Sequence, residues 1–155
     1  MSTFKVMQDA EDALQERLYE FEYGLPLVIG NYDELSKRYV YGTIYIDATN
    51  DLSNNYFVDR GRKVNQRIDG KFLLELHVPE YQQEQGLIVL ADALADHFFP
   101  DDQPTAWLFE GNPENQTVYV QSEPKLSPLR NDGGYHIGTL QVDYHVGSNN
   151  EVGDT

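Results

Sequence analysis

The stretch DGKFLLELHVPEYQQEQG, residues 69–86, decides the fold. A turn signal opens it. Phe72, Leu74, Leu76 and Val78 then alternate with Leu73, Glu75 and His77, the period of a strand with one apolar face. Pro79 lacks the amide donor that a ladder needs, so the strand stops there. A polar loop follows. Gly86 then precedes a helix predicted over 87–99, with Leu87, Leu90, Ala91, Leu94, Ala95 and Phe98 as its buried stripe and Asp92 and Asp96 on a flank.

The flanking segments extend this plan. Residues 4–22 read as an amphipathic helix, because Ala10, Ala13, Leu14, Arg17, Leu18 and Phe21 recur at helical spacing opposite Glu11, Asp12, Gln15, Glu16 and Glu20. LPLVIGNY (25–32) and YVYGTIYI (39–46) read as strands, the second dense in the β-branched and aromatic residues that a pleated surface favours. AWLFEG and TVYVQSE are two further short strands around the turn-forming GNPENQ. EPKLSPLRNDGG reads as a Pro/Gly-rich connection, with NDGG as turn chemistry. GYHIGTLQVDYHVG (134–147) is a long closing strand, its Leu140, Val142, Tyr144 and Val146 alternating with Gln141, Asp143 and His145. The expected architecture is a single α+β domain over 1–147: an antiparallel or mixed sheet, two helices packed on one face, and one long loop or hairpin arm. Residues 148–155 are expected to be a disordered polar tail.

The arm is the segment 47–69. It is polar, then basic, and longer than a plain connection inside a compact domain. Arg60, Arg62, Lys63, Arg67 and Lys71 concentrate five of the chain's eleven cations there, although the formal net charge of the whole is −15. The remainder of the chain is therefore more acidic still. Such a balance disfavours an electrostatic grip on nucleic acid or anionic lipid. Solvated loop charges are the plain reading of the basic cluster. The functional one is an arm that pairs with acidic surface beyond its own domain, with Arg60, Arg62, Lys63, Arg67 and Tyr56 as the subunit or tube interface.

Little in the chain points to catalysis. There are no cysteines, which excludes disulfides, zinc-thiolate sites and thiol nucleophiles. No nucleophile elbow, P-loop, dinucleotide fingerprint, zinc-protease motif or calcium loop is present. His77, His97, His136 and His145 lack ligand spacing and are read as surface or interface residues. Asp92 and Asp96 beside His97 invite a metal reading, but like charges four apart on a helix are ordinarily a solvated face. No catalytic, metal or cofactor site is expected. The charged N-terminal segment reads as neither signal peptide nor transmembrane span. The eleven tyrosines exceed what one core of this size holds, and surface tyrosine suits contact with another protein.

In its order of elements from 4 to 146, the chain resembles the tail terminator and minor tail proteins of long-tailed, siphovirus-type bacteriophages. The resemblance rests on the N-terminal FKVMQDAEDALQERLYEF, the arm, the strand–proline–glycine–helix run RIDGKFLLELHVPEYQQEQGLIVLADALADHFF, and the closing GGYHIGTLQVDYHV. It implies a structural virion protein in the phage neck, assembled in host cytoplasm as a usually hexameric ring. That ring would cap the tail tube, stop its growth and meet a head-side connector or stopper. Double-stranded DNA would pass through its lumen without specific binding. Another neck or head–tail completion protein is the near alternative. An acidic inhibitor that mimics DNA and an enzyme built on Asp92, Asp96 and His97 are the rivals from other classes.

Overall fold

The computed structural model describes residues 3–25, 27–30, 43–51, 67–100, 105–108, 117–120 and 122–147. In chain order the elements are α1 (Thr3–Tyr19), β1 (Leu27–Gly30), β2 (Ile44–Asp51), β3 (Arg67–Pro79), a 3-10 turn (Glu80–Gln82), α2 (Gln83–Phe98), β4 (Thr105–Leu108), β5 (Thr117–Val120), β6 (Lys125–Leu126), β7 (Arg130–Asp132) and β8 (Tyr135–Gly147). Among the described residues the sheet has eight strands in the order β1-β2-β3-β8-β5-β4, with β6 and β7 also pairing with β8. Only β1–β2 is parallel. The fold is thus α+β with a mixed sheet.

Its axis is the ladder of β3 against β8, antiparallel and in unbroken register from Arg67↔Gly147 to Pro79↔Tyr135. The apolar set read from the sequence becomes one face: Phe72, Leu74, Leu76 and Val78 of β3, with Leu140, Val142, Tyr144 and Val146 of β8, are all buried. Ile44, Ile46, Val118 and Val120 widen it, and both helices cover it in a single core cluster. From α1 come Ala10, Ala13, Leu14 and Leu18; from α2 come Leu87, Leu90, Ala91, Leu94 and Phe98, with Phe98 tilted against Phe72 at 6.0 Å between ring centres.

The helices also clasp each other. Arg17, half-buried on the apolar side of α1, donates through Nη2 to the carbonyl of His97 at 2.7 Å. His97 Nε2 donates in return to the carbonyl of Arg17 at 2.6 Å. Each side chain thereby satisfies a carbonyl in the last turn of the other helix, groups left open by the helical ladder. Burial holds His97 below the ordinary imidazole range.

Several boundaries differ from the sequence reading. The second strand, expected over 39–46, is described from Ile44 and runs on to Asp51; residues 39–42 lie outside the described residues. Residues 47–51 and 67–69 therefore belong to the sheet, not to a loose arm, because Ala48, pairing with Leu74, and the rest of this polar run pair with β3 in register. The N-terminal helix stops at Tyr19, and Phe21 packs on the core from beyond its end. α2 begins at Gln83 rather than at 87, so Gly86 lies inside its first turns. There a Cβ would sit 2.8 Å from Cβ of Gln82 and 3.4 Å from Val78 Cγ1; glycine is required by close packing, not as a helix opener. EPKLSPLRNDGG holds β6 and β7, which pair with β8. Gly133 and Gly134, at φ 59° and 84°, form the two-residue turn from β7 to β8. The proposed tail, 148–155, lies outside the described residues.

Two substitutions check this packing. Leu94→Ala removes a fully buried side chain and is expected to cost about 2–5 kcal/mol in urea unfolding; a loss under about half a kcal/mol would show that α2 is not core. Gly86→Ala should raise stability by up to about 1 kcal/mol if helix propensity alone acts. The close contact with Gln82 reverses that sign here, and the expected outcome is a lower midpoint in the same assay.

Candidate interaction face

The helices cover one face of the sheet, so alternate residues of every strand point the other way. Register brings Val28, Tyr45, His77, Ile137 and Arg130 into one row across β1, β2, β3, β8 and β7. Asp47, Glu75 and Thr139 form the next row. Tyr45, Tyr135 and Ile137 are buried as a second, smaller apolar cluster on this face, with Val28 packed against it. Tyr45 and Tyr135 meet edge to face at 6.0 Å, and the ring of His77 lies 6.4 Å from Tyr135.

A charged network borders this cluster. His77 Nε2 donates to Glu75 Oε1 at 2.8 Å, and Arg130 Nη2 lies 3.7 Å from Glu75 Oε2. Glu75 is thus neutralised from two sides. Asp47, its cross-strand neighbour, has a raised pKa: burial is the larger cause, the Glu75 carboxylate adds to it, and His77 acts against it. Further along the same face, His145 stacks on the exposed Tyr119 at 4.9 Å and 15°. The face is a polar and aromatic surface with a small apolar patch. Among the described residues no group of three or more His, Asp or Glu is arranged to hold a metal ion, and no helix is long and apolar enough to cross a membrane.

The sequence-derived candidates are distributed unevenly. Arg67 is the first residue of β3 and pairs with Gly147. Tyr56, Arg60, Arg62 and Lys63 lie outside the described residues. What the structure adds is their anchorage: the segment 52–66 joins β2 to β3, adjacent antiparallel strands that a turn of about two residues can connect. Asp92, Asp96 and His97 do not form one group. His97 turns to Arg17 in the helix clasp, while Asp92 and Asp96 open with Glu123 onto a shallow depression of about 390 Å³, floored by Ala93, Ala95 and Phe99. His136 donates to Asn131 Oδ1 at 2.5 Å beside the β7–β8 turn. The tyrosines divide: Tyr45, Tyr135 and Tyr144 are buried, and Tyr19, Tyr81 and Tyr119 are exposed.

Sequence reasoning missed the Asp47–Glu75–His77–Arg130 network. Glu75 and His77 were visible as the outward residues of their strand. Asp47 and Arg130 were assigned to an arm and a connection, and only cross-strand register joins the four.

No protein family matches the chain, and no curated protein matches it. A solved protein whose name states no activity has a similar fold, with a TM-score of 0.61 at 16% identity over 90% of this chain and 94% of that one. At that identity the likeness shows the fold alone.

The strain at Asp47 has a pH signature. Its folded pKa lies above the unfolded value of about 3.9, so protonated Asp47 favours the fold, and that contribution is lost as pH rises through the folded value. Asp47→Asn is therefore expected to raise the melting temperature slightly at pH 7, by about half a kcal/mol or less for a partly exposed group. Below about pH 3.9 the difference should vanish. An equal gain at both pH values in thermal denaturation would refute the electrostatic cause.

Proposed function

We propose that this chain is a structural protein of a long-tailed phage, a tail terminator that assembles head-to-tail into a ring of roughly six copies. One side of the ring meets the last ring of the tail tube and ends its growth. The other meets a connector or stopper on the head side. Its place is then the virion neck, reached after assembly in the host cytoplasm. The mechanism is geometric and uses no cofactor: a surface that fits the tube but offers no site for another tube subunit. An acidic chain also suits a channel through which DNA slides, since carboxylates repel phosphates instead of binding them.

The observation that carries this reading is the anchorage of the basic segment. Residues 52–66 leave from Asp51 and return at Arg67, the ends of two paired strands in the body of the sheet. In an otherwise acidic protein, that segment holds Arg60, Arg62 and Lys63. A cationic arm rooted in a rigid sheet is suited to gripping an acidic neighbour, and arginine's planar fork binds carboxylate oxygens in pairs. The element order that resembles tail terminators, and the exposed tyrosines, support the same reading. Another neck protein of this kind would share the ring and differ in the partners it meets.

The test is the variant Arg60→Glu/Arg62→Glu, followed by light scattering with and without tail tube protein. Its melting temperature should stay close to the parent's, because surface charges contribute little to folding. Its assembly, or its binding to tubes, should be weakened. A variant that assembles and caps tails as the parent does would show that the arm is a bystander.

A further inference from the structure

Three carboxylates converge on the depression over the C-terminal half of α2: Asp92 and Asp96, one helical turn apart, and Glu123 from the segment between β5 and β6. All three are exposed, and among the described residues no cation pairs with them. Elsewhere acids have partners: Glu20 lies near Arg17, and Glu75 binds both His77 and Arg130. Like charges four apart on a helix repel, so this edge of α2 carries an uncompensated negative potential. Its floor is not polar. Phe99, nearly buried, and the methyl groups of Ala93 and Ala95 line the base of the roughly 390 Å³ space. An apolar floor with an acidic rim fits an arginine or lysine side chain, whose stem packs on hydrocarbon while its head pairs with carboxylate.

We propose that this depression is the dock for residues 60–63 of a neighbouring copy. The inference rests on the ring reading above and names the surface that receives the arm. Charge complementarity selects the occupant. Arg60, Arg62 and Lys63 supply three cations for three carboxylates, and the five cations between 60 and 71 are nearly half of the chain's eleven. A head-to-tail ring needs two unlike surfaces on each copy, one that gives and one that receives. The arm between β2 and β3 and the depression on α2 are such a pair, carried on different elements.

The experiment uses two full-length variants, Arg60→Glu/Arg62→Glu and Asp92→Lys/Asp96→Lys, sized by light scattering alone and mixed. Each alone should associate at least about tenfold more weakly than the parent, because like charges then face each other across the junction. Mixed in equal amounts, they should assemble to the parent's mass, since each reversed arm meets a reversed dock. If the α2 reversal unfolds the chain, Asp92→Asn/Asp96→Asn provides the same readout and should weaken association without repulsion. A dock variant that assembles like the parent overturns the site while leaving the ring intact. A mixture that stays dissociated shows that the arm reaches its own copy or another partner, and overturns the neighbouring copy as occupant. A parent that is a single chain at every concentration removes the ring reading, and the dock with it.

Discussion

The pairing of β3 with β8 governs this molecule. Thirteen residues on each strand run in continuous antiparallel register, and side chains alternate between faces with a period of two, so a slip by one residue would turn every buried side chain outward. Two features guard against that slip. Phe72, Leu74, Leu76 and Val78 supply four apolar residues in phase with Leu140, Val142, Tyr144 and Val146. The Tyr144 hydroxyl also donates to Asn50 Oδ1 on β2 at 2.6 Å, linking β8 to β2. Gly70 of β3 pairs with Tyr144 and has no side chain to obstruct the link.

Once the ladder is set, the rest of the structure follows from which face is left. Both helices are drawn to the apolar face, and their clasp through Arg17 and His97 closes that layer. The opposite face keeps a small aromatic cluster and a network of charges, with Asp47 held in an unfavourable setting beside Glu75. The sites argued here for assembly lie away from this centre, on the segment between β2 and β3 and on the outer edge of α2. Charge reversal at either place is therefore expected to change association before it changes folding.

The central elements were legible because their signals are local. Alternation in KFLLELHV and in TLQVDYHV, and helical spacing in LIVLADALADHFF, read correctly from the sequence, as did the α+β class with two helices on one face. The peripheral strands were not. Lys125–Leu126 and Arg130–Asp132 are too short for a period to show, and they exist because β8 offers its edge to them. Asp47–Asp51 looked like a loop because DATND is polar, yet those residues lie in a ladder whose hydrogen bonds involve only backbone. The start of α2 was misplaced because Gly86 suggests a boundary, whereas its role is close approach to Gln82 and Val78. The charged network on the outer face depends on long-range register, which no single window of sequence contains.

The account's central claim is that this fold is one unit of a closed assembly, with unlike giving and receiving surfaces on each copy. The most direct measurement is the native mass of the unmodified chain by light scattering over a wide concentration range. The account predicts a discrete species at a fixed multiple of the 17.8 kDa chain, with no open-ended growth, because a head-to-tail contact that closes consumes both surfaces. A single chain throughout, or a mass that climbs without limit, would contradict it.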